Sequence, residues 1–325
     1  SDTKAFTSFK FANMAMAWQQ AQTSCAKNNI QKNEFGENLL EPVFGNPPEW
    51  RLFQIAFILM SIESVGNPKS KFRDTVDLLW FPTGGGKTEA YLGLVAFVIA
   101  YRRLRGSGEK RITQDSLGTA VIMRYTLRLL TVQQFQRAST LMCACEKLRL
   151  ENTVLWGEKP FQVGLWVGQS VTPNSRKEAA FKKTEIQYSK NKDLEEIEDS
   201  NPYILINCPW CGSKLNHANG EISGKPEQWR LYCSRNKCKF SKKPGNPEDF
   251  SLPVLTVDED IYSRCPSLLI ATVDKFAQIA LEPKIKSIFG KVDYHCADCG
   301  FFNSTVDKAH PKQHSDKVVP QQICQ

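Results

Sequence analysis

The stretch Val76-Asp77-Leu78-Leu79-Trp80-Phe81-Pro82-Thr83-Gly84-Gly85-Gly86-Lys87-Thr88-Glu89-Ala90-Tyr91 reads as a short apolar strand, a glycine turn and the start of a helix. Phosphate binding needs those parts in that order. Glycines let backbone N–H groups curl around a phosphate, and the helix N-terminus adds partial positive charge. Lys87 is placed to neutralise β- and γ-phosphate oxygens, and the Thr88 hydroxyl to complete a Mg²⁺ shell, which makes them the candidate catalytic pair. The general pattern G-x-x-x-x-G-K-[ST] has a small residue where Phe81 stands, but its T-G-x-G-K-T core is intact. The candidate nucleotide-binding residues are therefore Pro82, Thr83, Gly84, Gly85, Gly86, Lys87, Thr88 and Glu89. Upstream, Arg51 and Gln54 open an apolar helix from Trp50 to Glu63. A glutamine amide can pair with both N6 and N7 of adenine; equally, it can be the wet edge of such a helix.

Outward from this turn, strands alternate with helices. Thr119 to Met123 precedes a helix from Thr131 to Arg149, Phe161 to Val167 leads into a charged helix, and Ser267 to Ala271 precedes a short helix near Asp274. Such alternation predicts an α/β fold built on a parallel sheet. Composition agrees: of 325 residues, 41% are hydrophobic and 23% charged, which excludes disordered and collagen-like classes. The apolar runs Leu52 to Met60 and Leu92 to Ala100 fall short of the ~20 residues of a membrane span. No secretory leader is legible at Ser1-Asp2-Thr3-Lys4, so a cytoplasmic protein is expected. The net charge of +8 suits a polyanionic partner without demanding one.

Beyond the second strand come Arg124, Thr126 and Arg128, and beyond a later strand Thr272. Open α/β sheets place ligands at such strand ends, and guanidinium and hydroxyl groups there can hold a phosphodiester backbone. In order and wording these segments resemble superfamily 2 helicases, specifically the helicase subunits of the DISARM antiphage defence systems. The resemblance rests on Leu79 to Tyr91, Arg124 to Phe135 and Ser267 to Phe276, and runs over roughly residues 45 to 300. It implies a RecA-like first motor domain, ATP and Mg²⁺ as fuel, DNA as track and a second DISARM subunit as partner. A complete motor of that kind carries an acidic D-E-x-H box after the Thr272 loop. Val257-Asp258-Glu259-Asp260 precedes the loop instead, so the chain is expected to be the front of a larger protein, with negligible turnover alone.

Two cysteine clusters interrupt the alternation. Cys208 and Cys211 form a knuckle, and Cys233 and Cys238 follow after 21 intervening residues; four sulfurs suit tetrahedral Zn²⁺. Arg235, Lys237, Lys239, Lys242 and Lys243 beside them either touch phosphates or are simply solvated. Cys296, Cys299, His310 and His314 suggest a second zinc site, in which Cys324 is an alternative ligand. The implied organisation is a helical segment over 1–75, a RecA-like part over 76–202, a zinc-ribbon-like insertion over 203–245, a RecA-like continuation over 246–290 and a second zinc element over 291–325. Two other functions fit: a zinc-stabilised nucleic-acid-binding module with a non-hydrolysing nucleotide site, and a P-loop ATPase acting on protein.

Overall fold

A computed structural model describes residues 2–32, 49–82, 84–106, 117–126, 128–168, 171–188, 204–224, 227–242, 250–277, 282–296, 300–302 and 318–320. Four strands, β1 (Val121–Tyr125), β2 (Val163–Trp166), β5 (Val254–Leu255) and β6 (Leu268–Thr272), form a wholly parallel sheet in the order β1-β6-β2-β5. The expected α/β class is present. β6 is the central strand, pairing Val121 with Leu268 on one side and Val163 with Leu268 on the other.

Strand alternation explains how the sheet is covered. Leu268 and Ile270 of β6, with Val163 and Leu165 of β2, enter one apolar cluster; Leu269, Ala271 and Trp166 enter another on the opposite face. Successive strand residues point to opposite faces, so a run of uninterrupted apolar residues is what a sheet covered on both sides requires. The first face carries α1 (Thr3–Lys32), α3 (Lys87–Arg105) and α4 (Arg128–Glu151). The second carries α7 (Asp258–Arg264) and a 3₁₀ turn over Pro283–Phe289, through Ile261, Ile285 and Ile288. Helix α2 (Leu52–Gly66) lies against α3, where a side chain at Gly93 would meet the Trp50 ring at 2.6 Å.

Two antiparallel units are appended: the hairpin β3 (Gly220–Ser223) with β4 (Gln228–Leu231), and the three-stranded β7 (Tyr294–Cys296), β8 (Gly300–Phe302) and β9 (Val318–Pro320). Short helices α5 (Thr153–Trp156), α6 (Arg176–Tyr188) and α8 (Val273–Ala277) complete the described elements.

One expectation is corrected. Val76 to Phe81 is not a strand: it has no regular secondary structure and pairs with no strand among the described residues, and Val76, Leu78 and Trp80 are 92%, 83% and 86% exposed. Apolar character makes a strand only where a neighbour supplies ladder hydrogen bonds. Here Thr75, Asp77 and the residues of β1 all line a cavity of about 1570 Å³, and no ladder pairs the segment with a strand among the described residues.

Candidate nucleotide site and metal centre

The phosphate loop enters α3 through Gly86, whose φ of 93° and ψ of 26° lie in the left-handed region; Gly84 has φ 80°. Side chains avoid that conformation, so the turn needs glycine at these positions. Lys87 opens the helix, and its ammonium bonds to the Phe81 carbonyl and, at 3.1 Å, to that of Pro82. Arg51 Nη1 donates to the Gly85 carbonyl and Gln54 Nε2 to that of Gly86, both at 2.8 Å. Gln54 Oε1 accepts from the Arg51 amide at 2.9 Å, so the glutamine amide is engaged at both ends within the chain. Phe53 stacks on Phe81 with centroids 4.0 Å apart, bracing the segment before the loop. The structure thus brings Arg51, Gln54, Pro82, Gly84, Gly85, Gly86 and Lys87 together, with Thr88 and Glu89 in the first turn of α3. Thr83 lies outside the described residues. Open space beside Gly84, the free first-turn amides of α3 and a lysine ammonium form a donor set that suits a triphosphate.

At the carboxyl ends of β1 and β6 the register pairs Arg124 with Ala271 and Tyr125 with Thr272, placing both expected track segments side by side. Arg124 and Thr126 are exposed, and the Arg124 guanidinium lies 5.9 Å from the Phe276 ring centroid. Thr272 is buried at 2% exposure. Arg128 is the first residue of α4.

Asp258, Glu259 and Asp260 serve internal cations. Asp258 Oδ2 holds Lys275 Nζ at 2.5 Å; Glu259 and Asp260 hold Arg176 at 3.2 and 2.7 Å, and Asp260 also accepts from the Trp229 amide at 2.8 Å. Burial raises the Asp258 carboxyl, and Lys275 opposes that rise. Arg176 and a second arginine, Arg137 of α4, whose guanidinium is ion-paired with Glu89, went unnoticed in the sequence. Their partners lie 83 and 48 residues away, and neither has a local signal.

Cys208, Cys211, Cys233 and Cys238 converge, buried, with ligand atoms all within 4.8 Å of one another. Cys208 and Cys238 sulfurs are 4.0 Å apart, and Cys211 and Cys233 sulfurs 3.5 Å. A tetrahedron with Zn–S near 2.3 Å has S···S edges of about 3.8 Å, so the cluster can hold a metal such as zinc. Burial pushes the Cys208 thiol up, whereas hydrogen bonds from Cys208, Cys233 and Cys238 hold Cys211 well down, favouring one thiolate in the set. The knuckle is pressed onto the helices: a Cβ on Gly212 (φ 79°) would meet the Ala26 carbonyl at 2.7 Å, Trp210 stacks on Trp18, and Thr140 donates to the Pro209 carbonyl. Of the second expected metal set, Cys296 is buried at the end of β7; Cys299, His310 and His314 lie outside the described residues.

No family model matches the chain. Over 321 residues it is 39% identical to the DISARM protein DrmA of Bacillus paralicheniformis. The similarity is to a DISARM protein. It takes in 96% of this chain, and the chain spans 27% of the length of that DrmA. No helix among the described residues is long and apolar enough to cross a membrane.

Proposed function

We propose that this chain is the nucleotide-binding part of an ATP-driven DNA helicase or translocase acting in bacterial antiphage defence, within a multi-subunit DISARM-type complex. The observation carrying this reading is the Gly84–Lys87 turn, whose left-handed glycines deliver Lys87 and Thr88 to the first turn of α3. The similarity to DrmA supplies the biological setting. ATP with Mg²⁺ supplies a transferable phosphoryl group and the charge that the site must manage. Lys87 leaves the Phe81 and Pro82 carbonyls to meet phosphate oxygens, the amides of Gly84 to Thr88 surround them, and Thr88 offers its hydroxyl to the cation. Arg51 and Gln54 hold the loop from below through the Gly85 and Gly86 carbonyls. Arg124, Thr126 and Arg128 offer positive charge and a hydroxyl to the DNA backbone, and the four-cysteine cluster is a structural zinc site.

Lys87→Ala in the full-length protein is expected to abolish DNA-stimulated ATP hydrolysis while leaving the fold intact, because its side chain bonds only to loop carbonyls. Unchanged hydrolysis would remove the proposed site. Arg128→Ala is expected to weaken DNA binding, lowering the salt slope by about 0.7 to 0.9 for one lost phosphate contact. An unchanged slope would make Arg128 structural. Salt-dependent DNA binding without any ATP turnover would favour a zinc-stabilised binding module instead, a reading that the cysteine cluster supports.

A further inference from the structure

Glu89 stands two residues past Lys87, in the first turn of α3. One carboxylate oxygen is ion-paired with Arg137 of α4. The other faces the phosphate loop: a Cβ on Gly86 would lie 3.4 Å from Oε2. Glu89 therefore lies beside the loop with one edge and is paired with a different helix through the other. Burial raises the Tyr125 phenol, and Arg137 is close enough to oppose that rise. Tyr125 in turn precedes the candidate track residues Thr126 and Arg128, and Arg128 begins the helix that carries Arg137. Nine residues of α-helix, about 13.5 Å, separate the two arginines. Glu89 and Arg137 side chains are 26% and 34% exposed, so solvent screens their attraction only in part.

We propose that Arg137 is a positioning residue linking the phosphate loop to the track-facing end of α4, so that occupancy of either site changes affinity at the other. The proposal rests on the ATP- and DNA-binding reading above. Triphosphate charge beside Lys87 repels the Glu89 carboxylate, and the guanidinium of Arg137, already ion-paired with it, is the group that a displacement of Glu89 carries along. The shift is carried by α4 to the end of β1 and the loop that follows. Because linkage is reciprocal, DNA bound at that loop must change nucleotide affinity by the same factor as nucleotide changes DNA affinity.

The test uses the full-length protein and measures dissociation constants for a non-hydrolysable ATP analogue, with and without an oligonucleotide. The wild type is expected to show a linkage of about fivefold or more. Arg137→Gln should bring it close to one while leaving analogue affinity without DNA within about twofold, and Arg137→Lys, which keeps the charge, should retain most of it. Full linkage in Arg137→Gln, or equal weakening of analogue binding with and without DNA, would overturn the proposal and leave Arg137 as ordinary support. If Arg137→Gln fails to fold, loss of linkage in Arg137→Lys to the level of no coupling overturns it as well, since the charge is still present. Failure of the underlying reading shows itself separately, in a wild type that binds no nucleotide or no DNA.

Discussion

Removing the metal from the four-cysteine cluster should release the ribbon and loosen the helical layer beneath it. Cys211→Ser takes away the sulfur that lies 3.5 Å from that of Cys233. Structural zinc contributes about 10–16 kcal/mol in small finger domains, comparable to the roughly 5–15 kcal/mol that holds a whole domain together. A ribbon of this size therefore has no reserve with which to stay ordered after the metal is lost. The effect travels inward because Trp210, 3% exposed, is wedged between Trp18 of α1 and Phe240 of the ribbon, with ring centroids 6.1 and 5.7 Å apart. Losing that ring from the core is worth about 3–5 kcal/mol, the range for truncating a buried tryptophan. The expected results are at least one zinc per chain in the wild type and none in Cys211→Ser. Hydrogen exchange should rise throughout residues 204–242 and to a smaller degree in α1 and α4. A denaturation midpoint shifted by the equivalent of Trp210→Ala completes the pattern. A wild type without zinc, or a Cys211→Ser protein that keeps its zinc and its exchange protection, would refute the reasoning.

Two further substitutions probe the core around the site. Glu146 is 4% exposed and accepts from Arg149 Nε at 2.9 and 3.0 Å and from the Phe161 amide at 2.5 Å. Glu146→Gln leaves buried Arg149 and neighbouring Arg103 short of their counter-charge. A loss of about 3–5 kcal/mol is expected in urea unfolding, and a loss below about 1 kcal/mol would show that the arginines are satisfied by backbone carbonyls alone. Gly93→Ala drives a methyl group to 2.6 Å from Trp50 and 3.0 Å from Ile58. It should cost about 1–3 kcal/mol by overpacking, read as a lowered melting temperature, and an unchanged one would mean that α2 slides freely over α3.

The residue order alone decided the parts whose physics is local. A run of glycines before Lys87 reads as a tight turn into a helix, and α3 follows it with the expected bounds, Lys87–Arg105. The apolar runs that became β2 and β6 were readable because a strand buried on both faces has no polar alternation to obscure it. The cysteine spacing was legible for a similar reason: four thiols at ribbon intervals have few other uses, and the fold gathers them.

What depended on distant partners was not legible. Val76 to Phe81 has the composition of a strand, but strand formation requires a neighbour, and none of the described strands pairs with it. Gln54 read equally as an adenine-pairing amide and as the wet edge of its helix; only the fold shows that it bonds to the Gly86 carbonyl. Asp258, Glu259 and Asp260 stand before the Thr272 loop, which already argued against an acidic box; only folding shows that Lys275 and Arg176 claim all three. Arg137 carried no signal at all until α3 and α4 packed together and placed it against Glu89. Hydrogen-bond ladders, buried ion pairs and orientation on a helix are properties of pairs of residues, and only the tertiary structure decides which pairs meet.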